Sequence, residues 1–326
     1  MVRALILAAT LSASCALVAA CGGDSGDSQA GNAKAPRLTD TTGFPRPSNR
    51  SLRDLIGGML QGPELAASVS VLETGDDRFG FALFDRSNRQ IGDLKVVLYV
   101  SRGLDETAHG PFAARFEPIT VKPAYRSRTS ANDPDAAHGV YVATVRFPSA
   151  ASYTISAVAK LGGKYVATSP TQAMVSANSA VPGPGDRAIR VHTPTRASVG
   201  GDLKKIDTRI PPDSMHDVDL ADALGKGRPV MLLFSTPALC QSRVCGPVTD
   251  VAEQVKSQYD DRADFIHMEI YRDNEASKGL RPQVKAWHLR TEPFAFTIDS
   301  RGRIVERLEG AFSASELSAA VRKALR

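Results

Sequence analysis

The chain has 326 residues, enough for two domains, and its 42% hydrophobic and 23% charged residues are the composition of a folded globular protein. The formal net charge is only +5. Lysines and arginines alternate with carboxylates and form no long basic run, so the electrostatic footprint of a nucleic-acid binder is absent and no nucleic-acid partner is expected.

The chain begins with a targeting pattern. Arg3 supplies a positive start, and residues 4–11 are apolar but far short of the ~20 residues of a transmembrane helix. V-A-A-C follows at residues 18–21. This pattern resembles the signal peptide and lipobox of bacterial lipoproteins. The resemblance implies loss of residues 1–20, a lipid on Cys21 and tethering at the extracytoplasmic face of the cell membrane. A secretory signal cut before an ordinary cysteine is the competing reading. Residues 22–32 are polar and rich in glycine and serine, as suits a flexible tether.

Cysteine use follows from this. Of four cysteines, Cys15 leaves with the signal and Cys21 takes the lipid. Cys240 and Cys245 remain, in a compartment where a disulfide can persist.

Residues 21–63 read as tether and a short helix, with Ser51 placed to cap residues 52–60 and Gly57 and Gly58 weakening it. From residue 64 to 180 the pattern has period two. S-V-S-V-L, R-F-G-F-A-L-F-D, L-K-V-V-L-Y-V, G-V-Y-V-A-T-V-R-F and S-Y-T-I-S-A-V-A-K are strand-like, with Y-V-A-T and T-Q-A-M-V-S-A extending the set. Turns are expected at Gly75-Asp76-Asp77, Ser87-Asn88 and Gly162-Gly163. Residues 105–135 are unusually polar, and part of that stretch reads as a long loop. Short strands separated by turns predict an antiparallel β-sandwich, similar to the immunoglobulin-like domains of bacterial surface proteins. V-P-G-P-G-D opens an expected linker over residues 181–200.

Residues 201–326 change character. Val230, Met231, Leu232, Leu233 and Phe234 form a continuous apolar run, which predicts a buried strand. Ser235, Thr236 and Pro237 break it, Cys240 and Cys245 follow with four residues between them, and Val248, Val251, Ala252 and Val255 then share one helical face. T-E-P at residues 291–293 precedes the strand F-A-F-T-I-D, and R-G-R-I-V-E-R-L-E-G leads into an amphipathic closing helix. Over about the last third of the chain this order resembles the thioredoxin superfamily. The resemblance implies a thioredoxin-like α/β domain, a cis peptide at Pro293 and a cysteine pair beside it. The usual motif has two residues between its cysteines, and the tryptophan that commonly precedes the first is missing here. The expected whole is therefore two-domain, an antiparallel β-sandwich followed by a thioredoxin-like α/β domain.

Three readings of the cysteines stand side by side. The first is thiol–disulfide exchange with client proteins that carry thiols or disulfides, with Cys240 attacking, Cys245 resolving and Pro293 beside them, and with no cofactor. The second is a structural disulfide in a non-enzymatic surface binding protein. A bridge closing so short a loop contributes only about 2 kcal/mol by chain entropy, which makes it a poor staple. The third is copper handling of the SCO type, for which His288 is the available extra ligand. Arg243 could favour a thiolate or be a solvated loop charge. Glu269, two residues after His267, could be a buried acid near the thiols, although the polar side of its strand is the commoner place for a glutamate.

Overall fold

The computed structural model describes residues 40–326. Cys21, its signal segment and most of the tether lie outside the described residues. Helix α1 (Leu52–Ile56) is capped by Ser51, whose hydroxyl accepts the Asp54 N–H at 3.1 Å, and it ends at Gly57. Eleven strands follow: β1 (Leu60–Gln61), β2 (Glu64–Ala67), β3 (Leu72–Glu73), β4 (Gly75–Phe84), β5 (Gln90–Ile91), β6 (Val96–Ser101), β7 (His109–Pro118), β8 (Gly139–Phe147), β9 (Ala151–Leu161), β10 (Lys164–Ala167) and β11 (Thr171–Ser176). They pair in the order β1-β10-β9-β6-β7-β8-β4-β2, with β11 on β9 and β3, and β5 on β4. One hydrogen-bonded sheet thus replaces the two separate sheets of the expected sandwich. It curls over its own core: Phe79, Phe81 and Tyr141 from β4 and β8 pack in one cluster with Leu98, Val100 and Ile155 from β6 and β9.

Several local expectations differ from the structure. The turn expected at Gly75-Asp76-Asp77 is the start of strand β4, where these residues pair with Val145, Arg146 and Phe147 of β8. The helix expected over residues 52–60 stops at Ile56, and Leu60 opens β1. Residues 109–118, inside the stretch read as polar interruption, form the ten-residue strand β7 between β6 and β8. Its charged Arg115 and Glu117 pair with each other within the strand, so their polarity concealed a ladder. Residues 68–71 were expected as strand but are not. The N–H groups of Ser70 and Val71 instead donate to the Glu309 carboxylate at 2.8 and 2.9 Å.

After the short helix α2 (Arg128–Ala131) and α3 (Leu220–Ala223) comes a second sheet. Its strands are β12 (Val230–Phe234), β13 (Asp264–Met268), β14 (Phe294–Ile298) and β15 (Ile304–Glu309), in the order β13-β12-β14-β15. Strand β12 runs parallel to β13 and antiparallel to β14. Helix α4 (Cys245–Tyr259) follows β12, α5 (Pro282–Ala286) precedes β14, and α6 (Ala314–Ala324) closes the chain. Alternate residues of β12 feed different cores. Met231 and Leu233 meet Val248 and Val251 of α4, while Leu232 and Phe234 meet Trp287 and Phe296 on the other face. The parallel β12–α4–β13 crossover, the two antiparallel strands after it and the closing helix make a thioredoxin-like fold.

The two sheets share apolar and polar contacts. Val140 and Val142 of β8 belong to the same cluster as α4 and α6. Arg78 of β4 donates to Glu316 of α6 at 2.9 Å and to the carbonyls of Glu309 and Ala311 at 3.2 and 2.7 Å. Gly310, at φ +69°, lies so close to Ser68 that an added Cβ would sit 1.8 Å from its carbonyl oxygen. Residues 181–200, expected as linker, are pinned to the second sheet: the Gly185 N–H donates to Ile304 at 2.8 Å and the Ala188 N–H to Gly302 at 2.9 Å.

A shared core predicts shared unfolding. In urea, the fluorescence of Trp287, which reports on the second sheet, and far-ultraviolet circular dichroism, dominated by the first, should change in one transition. The Arg78→Ala variant leaves the mostly buried Glu316 without its main cation and should shift both curves together, by about 3 kcal/mol. Two separated transitions would show independent units.

Candidate functional site at the cysteine turn

The site is built where β12 ends. Ser235 and Thr236 remain buried, and the chain then makes two successive turns, closed by Leu239 N–H to Thr236 at 3.2 Å and Arg243 N–H to Cys240 at 3.2 Å. Arg243 takes the left-handed conformation at φ +56°. Helix α4 starts at Cys245, which is bonded to Cys240 with a Cα–Cα separation of 5.9 Å. The four intervening residues are used up in the turns. Consequently only Cys245 occupies the helix start, where the helix dipole favours a thiolate. Cys240 lies before it in the turn, half-buried, while Cys245 is fully buried. Accessibility and the helix terminus are thus divided between the two cysteines.

Pro293 stands directly beside this end of β12. The Glu292–Pro293 peptide is cis, and the next residue, Phe294, pairs with Phe234, the last residue of β12. The residue that sequence reasoning missed is Glu292. Its Oε2 lies 3.4 Å from the Cys245 sulfur. Burial, reinforced by the nearby carboxyl of Glu269, pushes Glu292 up to about 7. T-E-P was visible in the sequence, but nothing local placed its glutamate against a cysteine 47 residues earlier.

Glu269 is buried, 1% exposed, and not on a solvated strand face. One of its oxygens accepts the Thr208 N–H at 2.7 Å and the other has no hydrogen-bond partner. Burial raises its carboxyl above the ordinary range. Nearby, His267 is also buried, with Nδ1 2.7 Å from Asp213 and Nε2 3.0 Å from the Ser235 carbonyl. Burial opposes its charge, yet Asp213 outweighs burial and pushes His267 up to about 10. Arg243 does not serve the sulfurs in this structure: it pairs with Asp133 at 2.5 Å and Asp135 at 3.1 Å, in the loop before β8. His288 is exposed at the end of α5. The third donor grouped with the two sulfurs is the carboxylate of Glu292, not His288. Trp287 packs against Phe234 and Phe296, a core residue as its size suggests.

The strand order, with a disulfide at the β12–α4 junction, a cis-proline opposite it and a carboxyl against the buried sulfur, makes this a thioredoxin-like fold that carries a cystine. No family model and no curated protein sequence matches the chain. Among solved structures it is similar to a Chlorobium tepidum protein assigned as the thiol:disulfide interchange protein DsbE. The two are 17% identical, the likeness covers 44% of this chain and 99% of that one, and the TM-score is 0.33.

The position of Glu292 predicts a pH effect. Its folded value of about 7 lies above the usual 4.5. A raised acid contributes stability that is fully present below its unfolded value and is lost as pH rises through 7. Across that window the oxidised protein should lose about 3 kcal/mol from this group. The Glu292→Gln variant should lack that decline when urea midpoints are compared at pH 5, 7 and 8.5.

Proposed function

We propose that the chain is a thiol–disulfide oxidoreductase, held at the extracytoplasmic face of the membrane by a lipid on Cys21. The observation that carries the catalytic reading is the pair of unequal sulfurs, one half-buried and one fully buried, with the Glu292 carboxyl 3.4 Å from the buried one. In this reading the curled β-sheet unit of residues 64–180 presents clients to the thioredoxin-like unit of residues 201–326, with residues 181–200 between them and residues 21–63 leading from the membrane. A cleft of about 740 Å³ supports that division of labour, because Ala67 and Phe81 of the first sheet line it together with Ser242, Thr291 and Glu292.

The exchange balances as follows. A client thiolate attacks Sγ of Cys240, the accessible sulfur. The Cys240–Cys245 bond breaks, its electron pair goes to Cys245, and protonated Glu292 supplies the proton that the leaving thiolate takes up. A second client thiolate attacks the client sulfur of the mixed disulfide, which oxidises the client and leaves Cys240 reduced. In the opposite direction Cys240 attacks a client disulfide, Glu292 takes the proton of Cys245, and Cys245 displaces the reduced client. The partners' reduction potentials set the net direction.

The test is covalent trapping. A Cys245→Ser variant should accumulate mixed disulfides with clients through Cys240, whereas Cys240→Ser should trap few. Glu292→Gln should slow reduction of the disulfide by a small thiol about 100-fold at neutral pH, the lower end of what general acid–base assistance supplies. Equal trapping by the two cysteine variants would refute the assigned roles. No trapping by either, with a disulfide inert to glutathione, would leave a structural bridge.

Anchoring is tested separately. The Cys21→Ser variant should lose metabolic palmitate labelling and remain uncleaved at that site. Unchanged labelling would remove the lipid from this reading.

A further inference from the structure

Beneath the cysteine turn lies a second cluster that the exchange chemistry does not use. Asp207 and Asp213 come from residues 207–216, a stretch with neither helix nor strand, as does His216; His267 comes from β13. All four are buried, none more than 3% exposed. One donor atom from each lies within 4.8 Å of the others. We propose that these four side chains hold a divalent transition-metal ion, zinc by preference, as a closed structural site.

The geometry points to tetrahedral nitrogen and oxygen ligation. Nε2 of His216 is 3.2 Å from Oδ2 of Asp207 and 3.3 Å from Oδ1 of Asp213. Ligands at roughly 2.0–2.1 Å around a tetrahedral zinc ion are separated by about 3.4 Å, which these two spacings approach. The 2.7 Å from His267 Nδ1 to Asp213 is shorter, because there a shared proton draws the two together, and it widens when the ion takes that proton's place. His267 has the outer contact expected of a metal-bound imidazole: its Nε2 faces the Ser235 carbonyl at 3.0 Å, so a proton held there leaves the Nδ1 lone pair turned into the cluster. The ion replaces the proton that Nδ1 shares with Asp213, and that proton goes to solvent. On His216 the ion takes Nε2 and the ring proton moves to Nδ1.

Charge gives a second argument. Two carboxylates beyond the reach of water need neutralising, and hydrogen bonds to imidazoles do so incompletely. A divalent ion cancels both while both histidines stay neutral. Four protein ligands leave no open coordination position, which is the pattern of structural and not catalytic zinc. The absence of sulfur and the presence of imidazole favour zinc over copper(I). Such an ion would fix an irregular buried segment whose backbone organisation otherwise depends on carboxylates. It would also brace the cysteine turn, since His267 bonds to Ser235 and Thr208 accepts the Ala238 N–H at 3.1 Å.

The experiment separates this site from the other donor group, Cys240, Cys245 and Glu292. The full chain carrying Cys240→Ser and Cys245→Ser is stripped with a chelator and titrated with cobalt(II), then with zinc. The expected result is one equivalent bound, the visible absorption of tetrahedral cobalt without a thiolate charge-transfer band, and displacement by zinc with a rise in Tm. In the same background Glu292→Gln should leave binding unchanged. His216→Gln, shown folded by circular dichroism, should weaken it about 100-fold or more, given that even outer contacts of metal ligands are worth 10–100-fold. Asp207→Asn serves the same comparison if His216→Gln does not fold. The proposal is overturned if neither ion binds the folded protein saturably, if the cobalt spectrum is six-coordinate, or if binding survives in a folded ligand variant.

Discussion

The site depends on the burial of β12 on both faces. Its five residues contribute alternately to the core beneath α4 and α6 and to the core around Trp287, and its edges are hydrogen-bonded to β13 and β14. A strand fixed on four sides has no freedom at its end. The register Phe234 to Phe294 sets Pro293 opposite the start of the cysteine turn, and the register Leu233 to His267 sets the imidazole beneath it. The disulfide, the cis-proline and the buried histidine are therefore placed by one ladder, and not by the residues next to them in sequence.

This explains what could be read from the chain beforehand. The run from Val230 to Phe234 was legible because five successive apolar residues have few other homes. The cysteines were legible as a pair near a helix start, but not the division of roles between them, because four intervening residues do not specify their turns. Glu292 was invisible as a partner of Cys245 since the contact crosses from one strand end to another. Glu269 was misplaced for a related reason. Alternation assigns a residue to a face, but the 201–216 segment that covers this face has no periodic pattern of its own. Strand β7 was obscured because Arg115 and Glu117 satisfy each other. The packing of β8 against α4 and α6 left no sign in either segment, each of which looks like an ordinary buried element.

The region under the turn holds an unusual density of ionisable groups. Glu269, His267, Asp213 and Asp207 are buried, Glu292 is partly so, and Arg209 and Asp250 form a buried pair at 2.9 Å close by. Such groups cost stability unless each finds a partner. Asp250 meets this by accepting from Arg209 on one oxygen and from Ser127, which precedes α2, on the other. That bond ties helix α4, which begins at Cys245, to the long connection between β7 and β8. The first sheet thus shares in the polar support of the site as well as in its apolar core.

The unequal burial of the two sulfurs has a consequence for selectivity. An attacking group arriving from solvent meets Cys240 alone, because Cys245 is sealed beneath it against Glu292. Every adduct formed with the closed bridge then has the same connectivity, whatever the attacker. In the proposed exchange the bridge would act as a polarised bond with one fixed electrophilic end, and the departing sulfur would be the one beside the Glu292 carboxyl. Discrimination among partners is left to the walls around Cys240, including Pro134 and Ala136 from the loop before β8. A partner's shape near its sulfur, more than the strength of its thiolate, would decide whether it reacts.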